Sequence, residues 1–151
     1  MTTQTPQEFA VSNSSNRPEW KTFVVFVGRL IFAAVFIMAV TFKLMDINAT
    51  AEYIASAGFP LSKLLAWLAA LLESALIVCF LTGAYFSEAA LVASAYVLFL
   101  AFAFHGPSRW AGDQAEFGFF VDHFTFFAGL LFAAAHGPGR LAMNRGYIAQ
   151  H

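Results

Sequence analysis

The chain has 151 residues, of which 60% are hydrophobic and only 11% are charged. Soluble domains are typically about 45–50% apolar and about 25% charged, so the composition disfavours a soluble protein. The net charge is −1 and the chain has no basic run, so nothing indicates a nucleic-acid partner. The single cysteine, Cys79, rules out an internal disulfide and a paired-thiol redox motif.

The chain begins with a polar segment, residues 1–20, rich in Thr, Ser, Gln and Asn, which is typical of a disordered tail. Four apolar segments follow, at residues 22–42, 61–82, 89–104 and 119–135. A spanning helix needs about 20 residues, and the two shorter segments reach that length when their interfacial flanks are included. We therefore expect an all-α integral membrane four-helix bundle over residues 21–140, with a short C-terminal tail at residues 141–151.

The connections between the spans also carry structural signals. Residues 49–57 have helical composition, and Gly58-Phe59-Pro60 ends that segment, which predicts a short surface helix between spans 1 and 2. The brief link after Gly83 predicts that spans 2 and 3 are antiparallel neighbours.

Four spans place both termini on the same side of the bilayer. Cytoplasmic segments usually carry an excess of Lys and Arg, so basic residues indicate the orientation. Arg17, Lys21, Arg140 and Arg145 lie on the terminal side, and Lys43, Lys63 and Arg109 lie on the other. This small excess predicts that both termini are cytoplasmic.

Two ionisable residues lie within the spans. Glu73 is near the middle of span 2 and Arg29 is inside span 1. A charged side chain at the bilayer centre costs about 2.5–3.5 kcal/mol on insertion scales. Helical rise places Arg29 roughly 10 Å and Glu73 roughly 15 Å from the same membrane face. We therefore expect Arg29 and Glu73 to pair, either as a structural ion pair or as a proton-handling or ligand-binding element.

A second polar group is expected at the opposite end of the bundle. Lys43 ends span 1, His105 ends span 3, and Asp122 with His123 begins span 4. Asp122 and Lys43 are candidates for an ion pair, and the two histidines are candidates for proton transfer. Their spacing matches no common metal-binding motif, so we expect no metal ion and disfavour haem.

Phenylalanine is unusually abundant, with 19 residues, and is dense in spans 3 and 4. Most of these rings are expected to pack in the core or face lipid. A flat apolar ligand such as a quinone is the alternative, with Phe120, Phe124 and Phe127 as its candidate lining.

The order of these features resembles the DoxX family of small four-helix membrane proteins. The likeness includes Gly28-Arg29-Leu30, Phe42-Lys43-Leu44, the connection from Glu52 through Tyr53 to Pro60, mid-helix Glu73, the stretch 120–131 and the terminal Gly137-Pro138-Gly139-Arg140. Many relatives carry Lys-Asn at the position of Asp122-His123, so the sign of the charge there is reversed.

The resemblance implies association with membrane redox systems, including quinone-coupled ones, although fold transfers more safely than function. The expected function is that of a small subunit or accessory of a membrane redox complex, and the expected location is the bacterial cytoplasmic (inner) membrane. The alternative is a non-catalytic scaffold or assembly partner with a structural Arg29–Glu73 pair. Whether the protein is an enzyme is left open. The expected partners are the lipid bilayer and either other membrane proteins or further copies of the chain.

Overall fold

The structure, a computed structural model, describes residues 19–143 and is helical throughout that range apart from the connecting segments. The helices are α1 (Glu19–Met45), α2 (Ile47–Ser56), α3 (Ser62–Thr82), α4 (Phe86–His105) and α5 (Gln114–His136), with a 3₁₀ turn at Pro107–Arg109. Four of them, α1, α3, α4 and α5, are long and apolar enough to cross a membrane. The prediction of an all-α four-span protein is confirmed. The predicted tails lie almost entirely outside the described residues.

The helix boundaries follow from local capping chemistry. Asp46 accepts a hydrogen bond from the backbone N–H of Ala49 at 2.9 Å and so caps α2, the predicted short helix. Asp113 accepts from the first amides of α5 in the same way. These side chains satisfy amide groups that have no partner within the helix. α3 ends at Gly83, whose φ of 77° is in the left-handed region that glycine adopts readily.

Two helix pairs form the bundle. The most extensive packing joins α4 to α5 and α1 to α3, whereas the contact between α3 and α4 is smaller. Phenylalanine rings pack within and between the pairs. The ring centroids of Phe36 and Phe80 are 5.8 Å apart within the α1–α3 pair, and those of Phe80 and Phe86, which join α3 to α4, are 5.6 Å apart. Phe126 of α5 contacts Phe32 of α1 at 5.4 Å. The main core cluster combines phenylalanine rings with small and aliphatic side chains, among them Ala33, Ala90, Ala93 and Leu130.

The end of α1 determines where the bundle is open. Lys43 of α1 contacts Glu73 of α3, and α1 ends soon afterwards, at Met45. The part of α3 that precedes Glu73 also packs against the short helix α2. The short helix α2 covers part of this region, where Ile54 packs in a cluster with Ala66 and Phe104. A cavity lies between α2 and the spans.

Candidate ligand site

Glu73 is at the junction of three helices. Its residue surface is 1% exposed. Its Oε1 atom lies 2.9 Å from Lys43 Nζ of α1 and accepts a hydrogen bond from the Tyr96 hydroxyl of α4 at 2.8 Å. Its other carboxylate atom, Oε2, is buried and has no hydrogen-bond partner within residues 19–143. One oxygen of Glu73 therefore links α1, α3 and α4, while the second retains unused capacity to accept a hydrogen bond.

The expected pairing of Arg29 with Glu73 is wrong. Lys43 occupies that role, and Arg29 is 14 positions earlier on the same helix, about 21 Å along its axis. The sequence estimate counted the depth of each residue from the end of its own helix, but α1 is shifted along its axis relative to α3. Arg29, although well inside α1, therefore reaches the carbonyls of Phe80 and Leu81 at the very end of α3. The expected pairing of Asp122 with Lys43 is also wrong, because Lys43 pairs with Glu73 and Asp122 is exposed on α5.

Arg29 instead binds backbone carbonyl groups at the other end of the bundle. Its Nε donates to Phe80 O at 3.0 Å and its Nη2 to Leu81 O at 2.7 Å. Its Nη1 donates to Leu141 O at 2.6 Å and to Pro138 O at 3.3 Å. The last carbonyls of a helix lack intrahelical partners and carry partial negative charge. Arg29 therefore stabilises the end of α3 and holds the segment after α5, which is a structural role.

A cavity with a volume of about 750 Å³ is bounded by α1, α2, α3, α4 and α5. Most of its wall is apolar, and its aromatic residues are Phe42, Tyr53, Phe59, Tyr96, Phe99 and Phe104. Burial raises the pKa of the Tyr53 hydroxyl above its ordinary value, so this group stays protonated at neutral pH. Small-molecule sites typically have volumes of about 300–1,000 Å³ and apolar walls with a few polar groups. The cavity fits that description.

Three of the predicted polar residues line this cavity: Lys43, His105 and His123. The two imidazole rings have centroids 5.0 Å apart. His105 Nδ1 is 2.7 Å from Glu116 Oε2, and His123 Nδ1 is 2.7 Å from the carbonyl oxygen of Phe119. The structure therefore brings Lys43 and the two histidines together at this cavity, whereas Asp122 is not part of the cavity lining.

The predicted quinone-lining rings occupy a different place. Phe120 packs against Trp110 at 4.9 Å and against Phe124 at 4.6 Å, and Phe124 contacts Phe127 at 6.2 Å. None of the three phenylalanines belongs to the lining of the 750 Å³ cavity. The aromatic wall comes instead from α1, α2, α4 and the turn after α2.

Sequence reasoning missed Tyr96 and Glu116 as members of this arrangement. Tyr96 is an isolated tyrosine within span 3, and a buried tyrosine hydroxyl usually has a hydrogen-bond partner. That signal pointed to a polar neighbour without identifying it. Glu116 follows His105 by 11 positions across the turn between α4 and α5, and no local periodicity relates the two positions.

The fold defines a small helical integral membrane protein, and the 750 Å³ cavity is its candidate ligand site. The DoxX family model matches residues 24–106, more than half of the chain, and the protein belongs to the DoxX family. The match includes Lys43, Glu73, Tyr96 and His105 and ends before α5. No curated protein and no solved structure matches the chain.

Proposed function

We propose that the protein is a small accessory subunit of a membrane redox complex and that it binds a quinone in the 750 Å³ cavity. The cavity carries this proposal, because its aromatic wall suits a flat ring and its few polar groups suit the ring's oxygen atoms. The redox association implied by the family likeness agrees with it. We place the protein in the bacterial cytoplasmic membrane with both termini cytoplasmic.

Lys43 is the main hydrogen-bond donor offered to such a ligand. Its ammonium group has three N–H donors: one faces Glu73 Oε1 at 2.9 Å, and another approaches the carbonyl oxygen of Ala39 at 3.5 Å. The remaining donor can bind a ligand oxygen. Glu73 compensates the charge of the Lys43 ammonium group and orients that group, so the carboxylate acts on the ligand through Lys43.

The test is binding of a short-chain quinone, such as decylubiquinone, to the purified protein in detergent. Ala69 lines the cavity, so Ala69→Phe should fill part of it and weaken binding by at least about tenfold, since an occupied volume excludes the ligand. Leu71→Phe is the matched control, because Leu71 is 68% exposed on the outer surface of the same helix. Absence of saturable binding to the wild-type protein would contradict the proposal.

A second candidate function, that of an assembly partner, is favoured by the position of Asp122. This carboxylate is exposed on α5, about eight residues from the start of a spanning helix. An unpaired charge facing lipid is costly. A neighbouring membrane subunit with a Lys or Arg at the same depth would compensate it.

Charge reversal tests this second function. Asp122→Lys should abolish co-purification of the partner under gentle extraction, because two like charges repel across a desolvated contact. Thr125→Lys, one turn further along the exposed surface of α5, controls for the mere introduction of a lysine. Retention of the same partner by the Asp122→Lys protein would exclude a role for this carboxylate.

A further inference from the structure

The hydrogen-bonding state of His123 is fixed by its neighbour. Its Nδ1 atom lies 2.7 Å from the carbonyl oxygen of Phe119. A carbonyl oxygen only accepts hydrogen bonds, so Nδ1 must carry the proton. A neutral imidazole has one N–H, which leaves Nε2 of His123 as an acceptor.

His105 is held in the same way. Its Nδ1 lies 2.7 Å from Glu116 Oε2, and an ionised carboxylate only accepts hydrogen bonds. Trp110 Nε1 donates to the backbone carbonyl of His105 at 2.8 Å and fixes this end of α4. In the neutral ring Nδ1 carries the proton, and Nε2 is then an acceptor.

Neither Nε2 atom has a hydrogen-bond partner within the described part of the chain. Among the described side chains, the fully buried nitrogen or oxygen atom without a partner is Glu73 Oε2. The Nε2 atoms of His105 and His123 are therefore not fully buried. Both residues line the cavity. The imidazole pair therefore offers two acceptor atoms to a ligand.

Two hydroxyl groups in the cavity wall add to this excess of acceptors. Tyr96 donates its hydroxyl proton to Glu73 at 2.8 Å, and Thr50 donates to the carbonyl of Asp46 at 3.2 Å. The lone pairs of both hydroxyl oxygens remain available. Against these acceptors stand two donors, the Lys43 ammonium group and the hydroxyl of Tyr53, which lines the same cavity.

We infer that the cavity selects the reduced, dihydroxy form of its ligand, a hydroquinone, over the corresponding quinone. This inference rests on the proposed function and specifies its ligand. A hydroquinone hydroxyl donates to an imidazole Nε2 and can also accept from Lys43. A quinone carbonyl only accepts, so opposite Nε2 it places two acceptors against each other and leaves both unpaired.

This preference has a measurable electrochemical consequence. Selective binding of the reduced form stabilises it, so the midpoint potential of the bound couple rises relative to the free couple. For a two-electron couple, each tenfold difference in affinity corresponds to about 30 mV. The site would thus hold hydroquinone and release quinone.

The experiment compares three ligands with the same ring substituents and decyl chain under anaerobic conditions: decylubiquinol, decylubiquinone and the dimethyl ether of decylubiquinol. The dimethyl ether keeps the oxygen atoms but has no donor proton. We expect decylubiquinol to bind at least about tenfold more tightly than either of the others, because only decylubiquinol can donate to the imidazole acceptors. The bound couple should show a midpoint potential raised by at least about 30 mV.

A variant at His123 tests which atom distinguishes the reduced ligand from the oxidised ligand. His123→Phe keeps a ring of similar shape but removes Nε2, so the affinity ratio of decylubiquinol to decylubiquinone should fall toward one. Helical content and monodisperse elution in detergent report whether the variant is folded. Thr125→Val, on the exposed surface of α5, is the control that should leave the ratio unchanged.

The possible outcomes distinguish a failure of the hydroquinone preference from a failure of the proposed quinone site. Equal or tighter binding of decylubiquinone, or equal binding of the dimethyl ether, would overturn the hydroquinone preference while leaving the proposed quinone site intact. No saturable binding of any of the three ligands would refute the proposed function as well. If His123→Phe does not fold, the comparison of ligands on the wild-type protein still decides.

Discussion

Lys43 and Glu73 form an ion pair at 2.9 Å in which the glutamate side chain is 2% exposed and the lysine side chain 21%. The lysine thus reaches the cavity while its carboxylate partner is enclosed between helices. Taking a single charge out of water costs several kcal/mol unless an opposite charge and hydrogen bonds compensate it. Neither residue can therefore be changed alone without consequences for the other.

The first prediction concerns this pair. Glu73→Leu should lower the free energy of unfolding by about 3–5 kcal/mol, because it leaves the Lys43 ammonium group uncompensated. Lys43→Met combined with Glu73→Leu should restore most of the loss, since neither charge then remains. Thermal or denaturant unfolding of the purified variants in detergent measures the effect. The two changes should be strongly non-additive, as expected for residues in contact.

Arg29 supplies the control for that coupling. Arg29 binds carbonyls at the opposite end of α3, so Arg29→Leu and Glu73→Leu should have effects that add within about 0.5 kcal/mol. A rescue of Glu73→Leu by Arg29→Leu would show that these two residues interact after all.

The second prediction concerns Arg29 itself. Arg29→Lys keeps the charge but cannot reproduce the planar set of donors that reaches Phe80, Leu81 and Leu141. We expect the lysine variant to lose about 2–4 kcal/mol of stability, since hydrogen bonds from a charged group contribute about 1.5–3 kcal/mol each and some are retained. Unfolding midpoints together with limited proteolysis near residue 140 measure the change. A wild-type proteolysis pattern would argue against the anchoring role.

The third prediction separates backbone strain from steric contact at Gly83. A Cβ atom there would lie 2.6 Å from Ala142 Cβ and 3.0 Å from Arg29 Nη2, at a φ of +77°. Gly83→Ala should therefore cost more than the roughly 1–2 kcal/mol of left-handed strain alone. Gly58 is the matched control, because its φ is +87° and its Cβ position has nothing within 4 Å. Equal losses in the two alanine variants would mean that the contact with Ala142 is unimportant.

The sequence allowed the spans, the short helix α2 and the presence of a polar interior to be predicted, because length, hydropathy and charge in an apolar segment depend on local composition. The partner of Glu73 could not be predicted in the same way. It depends on the register of α1 against α3, and that register is set by contacts such as Phe36 on Phe80. The cavity wall was also missed, since it arises where α1 ends early and α2 covers α3.

The fourth prediction concerns the hydroxyl group of Tyr96. Tyr96→Phe keeps the ring but removes the donor to Glu73 Oε1, whose distance is 2.8 Å. The carboxylate would then keep Lys43 alone, so we expect a loss of about 1.5–3 kcal/mol in the free energy of unfolding. Tyr53→Phe is the matched control, because Tyr53 also lines the cavity and its ring stacks on Phe104 at 5.1 Å, a contact that phenylalanine preserves. Tyr53→Phe should stay within about 0.5 kcal/mol of wild type. If the two variants are equally stable, the Tyr96 hydroxyl does not contribute to holding the buried carboxylate.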